Sequence, residues 1–105
     1  MITPEQFEKA LTVLLPSPHL RLIHLADRLQ ISERSLYSFV QLHYQTTPAK
    51  LILQRRMDKA LDLLRQQYYR TISEVAFAVG YSSPAHFSRH FTQYFGYPPS
   101  KVDIQ

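Results

Sequence analysis

The run ISEVAFAVGYSSPAHFSRHF, residues 72–91, decides how the rest of the chain is read. An apolar helix pattern containing Val75 and Ala76 runs up to Gly80, and a second helix opens almost at once at Ser83-Pro84. That second helix carries Phe87 and Phe91 four positions apart, one turn of a buried face. Gly80 suits the corner because left-handed backbone costs glycine nothing. A small Ala76 where helices must approach, a tight corner and an apolar anchor together make a helix-turn-helix unit.

A fainter copy, HLADRLQISERSLYSFV, occupies residues 24–40. Leu25-Ala26 aligns with Val75-Ala76, and Gln30-Ile31-Ser32 with Gly80-Tyr81-Ser82. One extra residue enters the second corner, and the offset becomes 51. Leu36, Ser38 and Val40 then meet Phe87, Arg89 and Phe91; Gln45 meets Gly96, and Pro48 meets Pro99. The chain is therefore a repeat of one supersecondary unit. Gln30 is a poorer turn residue than glycine, so the first corner is expected to be less well defined.

Outward from the two copies, helix signals cover most of the chain. Thr3-Pro4-Glu5-Gln6 supplies a cap, a first-turn proline and the capping-box glutamine, and Pro16-Ser17-Pro18 stops the run that follows. Residues 20–29 and 32–44 read as the first unit's pair. Thr47-Pro48 launches the longest helix, 48–66, with Leu53, Met57, Ala60, Leu61 and Leu64 as its apolar stripe. Thr71-Ile72-Ser73-Glu74 is a further capping box, and a last turn follows Pro99. No segment alternates at period two, so no sheet is expected. The prediction is all-α: seven short helices forming two helix-turn-helix subdomains, 1–46 and 67–105, joined by a linker helix, 47–66, in one domain spanning 1–105.

Composition narrows the class. Hydrophobic residues make up 45% of the 105, ordinary for a globular domain. No apolar run approaches the roughly 18 residues of a membrane span. The start, MITPEQFEKA, reads as no targeting segment. With no cysteine, disulfides and thiolate metal sites are excluded and a reducing, cytoplasmic setting is expected. Net charge is +4 and the isoelectric point near 9.6, a pointer toward a polyanion. Paired carboxylates, a nucleophile elbow and a phosphate-cradling glycine loop are all missing, so no enzyme and no cofactor is expected.

Residues 22–99 closely resemble the DNA-binding domain of AraC/XylS-family transcriptional regulators. The resemblance rests on Leu25-Ala26 with Ile31-Ser32-x-Arg34-x-Leu36, and on Arg56-Met57-x-x-Ala60-x-x-Leu63-Leu64 in the linker. It is strongest in Ile72-x-x-Val75-Ala76-x-x-x-Gly80-Tyr81 and Phe87-x-Arg89-x-Phe91-x-x-x-x-Gly96-x-x-Pro99. It implies a bacterial transcription factor, often an activator contacting RNA polymerase, that binds promoter DNA as a two-headed module. It also implies a separate sensor or dimerisation domain, missing from this chain. The chain departs from the family at Ser38, where arginine is common, at Gln45, commonly glycine, and at Val102-Asp103. The first head is accordingly expected to give less base-specific energy, and Asp103 to weaken phosphate attraction if it faces DNA.

Under that reading the recognition helices are about 33–44 and 84–95. A linker of about 19 residues spans roughly 28 Å, suited to heads about 34 Å apart in successive major grooves. Candidate base contacts are Arg34, Tyr37, Ser38 and Gln41 in the first head and Pro84, Ala85, Ser88 and Arg89 in the second. For Tyr37, packing over the domain surface is the favoured role. Candidate phosphate contacts are Thr47, Lys50, Thr71, Ser82 and Ser83, near helix starts. Ala26, Ala60, Ala76, Gly80, Phe87, Phe91 and Gly96 are read as structural. Arg56 joins them, bonding carbonyls or Glu74 between linker and second unit; Arg55 and Lys59 are read as solvated. His86 and His90 have chelating spacing but no third ligand nearby, so no metal is expected. The competing reading is a protein-docking helical domain that contacts RNA polymerase or another partner, with weak DNA affinity.

Overall fold

The computed structural model describes residues 2–66 and 71–102, and every regular element among them is helical. In order these are α1 (Pro4–Leu14), α2 (Leu22–Leu29), α3 (Glu33–Tyr44), α4 (Pro48–Gln66), α5 (Ile72–Ala78) and α6 (Pro84–Phe95). The expected seventh helix is one 3₁₀ turn, Pro99–Lys101, closed by i→i+3 bonds such as Lys101 N–H to Pro98 C=O at 3.0 Å. Asp103 lies outside the described residues. Among the described residues no helix is long and apolar enough to cross a membrane.

Caps set the boundaries. The α1 capping box closes from both sides, with Thr3 N–H donating to Gln6 and Gln6 N–H to Thr3 Oγ1. α2 begins at Leu22 rather than Leu20 because Arg21 is extended and its N–H donates to His24 Nδ1 at 3.1 Å. α5 ends at Ala78, two residues before the expected stop at Gly80.

Burial divides into two cores. Phe7, Ala10 and Leu11 of α1 pack with Leu25, Ala26, Leu36, Phe39, Val40 and Leu51. Met57, Ala60 and Leu63 of α4 pack with Val75, Ala76, Val79, Tyr81, Phe87 and Phe91. α4 thus serves both, and this corrects the single stripe read from sequence: Leu51 and Leu63 are buried, whereas Leu53, Leu61 and Leu64 are half-buried. From Leu51 to Met57 the helix turns by about 240° net, so its buried face changes sides as it passes from one core to the other.

The first corner is also better formed than expected. Gln30 takes the left-handed conformation, φ 58°, where the second unit has Gly80 at φ 97°. Ile31 N–H reaches Ala26 C=O at 3.0 Å, and Tyr81 N–H reaches Ala76 C=O at 2.9 Å. The same bond closes both corners; glutamine simply bears the steric cost. Gln45 at φ 54° repeats this at the end of α3, where α6 has Gly96 at φ 85°. Gln45→Gly should therefore stabilise the domain by about 0.5–1 kcal/mol, raising the urea midpoint with an unchanged slope. Loss of the Gln45 Nε2 bond to Leu42 C=O at 3.0 Å pulls the gain toward the lower figure.

Arg55 is not a free solvated cation. It grips Glu8 of α1 with both terminal nitrogens and stands 5.7 Å from the Tyr44 ring, while Tyr44 donates its hydroxyl to Glu8 at 2.5 Å. α1, α3 and α4 are clamped at one carboxylate. The Arg55 hydrogen bonds hold the Glu8 carboxyl below its usual 4.5, and burial with the Glu8 bond pushes the Tyr44 phenol up to about 12. A depressed carboxylate stabilises the fold above the unfolded value of 4.5, and that contribution fades as pH falls through the folded value. Glu8→Gln should cost about 0.5–1 kcal/mol at pH 7, for a pair partly screened by solvent. It should also flatten the melting-temperature profile below pH 4.5.

Candidate nucleic-acid interface

The two recognition helices are built alike. Ser32 Oγ accepts the Ser35 N–H at 3.1 Å to start α3, and Ser83 Oγ accepts the His86 N–H at 3.2 Å to start α6. Leu36 and Val40 on α3, and Phe87 and Phe91 on α6, are all 0% exposed, which fixes the face each helix turns inward. The opposite face is left for a partner. On α3 it presents Arg34, Tyr37, Ser38 and Gln41, all exposed; on α6 Ala85 and Arg89 are exposed, with Pro84 and Ser88 half-buried beside them. Tyr37, for which packing over the domain surface was favoured, is 45% exposed, and the inward positions are filled by Leu36, Phe39 and Val40.

One neighbour on these faces, Leu42, escaped the sequence reading; another, His86, was weighed there for its spacing from His90. Leu42, one turn beyond Ser38, is 72% exposed and shares a shallow surface with Tyr37, Ser38, Gln41 and Gln45. Its helical spacing from Ser38 was legible, but an apolar residue reads as core by default. His86 is exposed in the first turn of α6, its ring 4.4 Å from that of His90. His90 Nδ1 lies 2.7 Å from the Tyr81 hydroxyl. Burial lowers the His90 pKa below 6.5, with His86 and Arg89 adding to the effect. Among the described residues no three metal-ligating side chains come together.

The candidate phosphate contacts are spread over three helix starts. Thr47 Oγ1 accepts the Lys50 N–H at 3.3 Å and Thr71 Oγ1 the Glu74 N–H at 3.1 Å, so these hydroxyls are caps first. Each still has its own proton to donate. Lys50, Thr71 and Ser82 are exposed, Thr47 and Ser83 half-buried. At α6 Pro84 has no N–H, and Ser83 takes those of His86 and Phe87. The Ala85 N–H remains at the positive end of the helix.

The residues read as structural sit at the joints. Ala26, Ala60 and Ala76 are at most 1% exposed. A Cβ on Gly96 would meet nothing within 4 Å, so that glycine serves only its positive φ. Arg56 bonds carbonyls, but those of the first unit: its Nε reaches Leu15 C=O at 3.2 Å and its Nη2 reaches Ser17 C=O at 2.8 Å. From the second unit, the Tyr81 ring lies 5.8 Å from the same guanidinium.

Comparison with known proteins agrees with this geometry. A family model described as a helix-turn-helix domain matches residues 25–103. The chain is 37% identical over 84 residues to the HTH-type transcriptional regulator CdhR of Pseudomonas aeruginosa, covering 80% of this chain and 25% of that protein. It is 32% identical over 78 residues to the HTH-type transcriptional activator RhaS of Escherichia fergusonii, covering 74% and 28%. The chain spans about a quarter of the length of these curated relatives. A solved Chromobacterium violaceum transcriptional regulator, described as having an AraC-type DNA-binding domain, superposes with a TM-score of 0.74 at 25% identity, over 93% of this chain and 89% of that one. Repeat, buried faces and relatives converge, and the chain belongs to the AraC-type helix-turn-helix family of DNA-binding transcriptional regulators, which are not enzymes.

Proposed function

We propose that this domain reads promoter DNA for a transcription regulator, laying α3 and α6 into successive major grooves on one face of a duplex. The observation that carries the reading is the matched pair of helices. Each has a fully buried inner face at the same offset and an outer face of hydrogen-bonding side chains, Arg34, Ser38 and Gln41 on one and Ser88 and Arg89 on the other. Arg89 is assigned to guanine O6 and N7, Gln41 to an adenine edge, and Ala85 to a thymine methyl. Thr47, Lys50, Thr71, Ser82 and Ser83 are assigned to phosphates, with the start of α6 adding its backbone donor.

RNA polymerase is the proposed protein partner, a sensor or dimerisation domain the proposed companion in a longer protein, and the bacterial cytoplasm the proposed site of action. The exposed Val13 and Phe77, 57% and 53%, favour the competing docking role, in which DNA affinity is weak. Selection from random duplexes tests the DNA reading: two enriched blocks about one helical turn apart are expected. Salt separates the two roles. Log affinity should fall by about 0.9 for each phosphate neutralised per unit of log salt. No enrichment and a flat salt response would leave protein docking as the function.

A further inference from the structure

The two cores have no buried residue in common, and beside α4 a polar joint crosses between them. Three elements meet there: the turn after α1, the middle of α4, and the corner between α5 and α6. Half-buried Arg56 directs its hydrogen bonds at carbonyl oxygens, Leu15 C=O at 3.2 and 3.1 Å and Ser17 C=O at 2.8 Å. Gly80 closes on the same point. A Cβ there would lie 2.5 Å from the Leu15 oxygen and 2.8 Å from Arg56 Nη2, so the corner can sit this close only without a side chain. Next in line, the Tyr81 ring faces the Arg56 guanidinium at 5.8 Å, and its hydroxyl lies 2.7 Å from His90 Nδ1 on α6. A continuous chain of contacts therefore runs from a backbone turn of the first head to the recognition helix of the second. Pro18, Ile52 and His86 line the groove alongside it.

We propose that Arg56 is a positioning residue that fixes the distance and angle between the two heads, and so selects the spacing between the two half-sites this domain accepts. The inference rests on the DNA reading above and deepens it. One base pair more or less shifts a half-site by about 3.4 Å and turns it by roughly 34° about the duplex axis. A rigid pair of heads meets only the matched spacing with a high effective concentration, whereas a loose pair accepts several spacings and gains less from each. With those carbonyl bonds removed, the joint loses its charged centre and the first head is held less firmly against the second.

The chain has no cysteine, so Leu42→Cys and Gln93→Cys place a single pair of nitroxide labels, one on each recognition helix. The distance distribution between them in the free protein should be narrow with Arg56 present, and at least about twice as wide in Arg56→Met, whose heads sample more than one arrangement. An equal width would overturn the inference. Should Arg56→Met not fold, Arg56→Lys takes its place. Its ammonium cannot span both carbonyls and face Tyr81 together, so an intermediate width is expected, and a width unchanged from Arg56 again overturns the proposal.

A second arm uses the unlabelled proteins on duplexes whose half-sites are moved apart or together by single base pairs. The unsubstituted chain should lose about tenfold or more per step, and Arg56→Met less than about threefold, with single half-site affinity unchanged in both. A profile equally sharp in Arg56→Met would overturn the proposal. If the unsubstituted chain bound no duplex, the DNA reading would fall, and the joint would still be judged by the label distances.

Discussion

Phe91→Ala should lower stability by about 3–5 kcal/mol, the cost of emptying a fully buried aromatic site. Phe91 is 0% exposed and central to the second core: its ring lies 4.6 Å from Phe95, 5.7 Å from Phe87 and 6.0 Å from Tyr97. A loss of that size is a large part of the total stability of a small domain, and should lower the melting temperature by roughly 15–30 °C. The first core does not contain Phe91. Its own aromatic contacts, Phe7 with Phe39 at 5.3 Å and with Tyr44 at 5.4 Å, stay intact. Unfolding of the variant should therefore lose its single transition, with the second head melting first, and the second half-site should drop out of any selected DNA. Calorimetry of the two proteins side by side checks this. A variant melting within a few degrees of the parent would mean that the second core does not depend on this ring.

What the sequence disclosed and what it hid differ in range. Caps and periodicity act within one or two turns, and they placed all six α-helices with end errors of about two residues, as at Leu22 and Ala78. The repeat was legible because the same buried faces recur at a fixed offset. Polar partners chosen across the fold left no such trace. Arg55 looked like one more exposed cation of the linker, yet it finds Glu8 47 positions away. Arg56 was recognised as structural, but its partner carbonyls lie 41 and 39 positions back, and a carbonyl carries no sequence signature. Gln30 misled in the other direction. Its residue type argues against a left-handed corner, and the packing of Leu25, Ala26 and Leu36 imposes one regardless. The outer faces of α3 and α6 were read correctly as outward, since whatever is not inward in an amphipathic helix must face out. Leu42 was missed by the same logic, applied to a hydrophobic side chain.

Arg89→Ala should weaken binding to the preferred duplex by about 1–3 kcal/mol, roughly 5- to 150-fold, and remove the preference at one base pair. The argument is geometric. Phe87 and Phe91 hold α6 with Arg89 on the opposite side, exposed and engaged in no ion pair with the described residues. In the proposed complex a guanidinium in that position would offer a guanine edge two parallel donors, and alanine would replace both with nothing. The change touches no buried contact, so the melting temperature should stay within the range of surface substitutions. The pattern of loss across sequences carries the distinction. If Arg89 reads a base, substituting that base pair costs the parent protein heavily and the variant almost nothing. Placing 7-deazaguanine there, which lacks only the N7 acceptor, should penalise the parent alone. If Arg89 holds a phosphate, every duplex weakens by the same factor and the salt slope falls by about 0.9. The aligned position in the first head supplies the control. Ser38 is exposed at the same offset but offers a single hydroxyl, so Ser38→Ala should cost less and blur the first half-site less than Arg89→Ala blurs the second. Equal losses at the two positions, uniform across sequences, would mean that the heads read DNA through backbone and shape, with neither side chain setting the sequence.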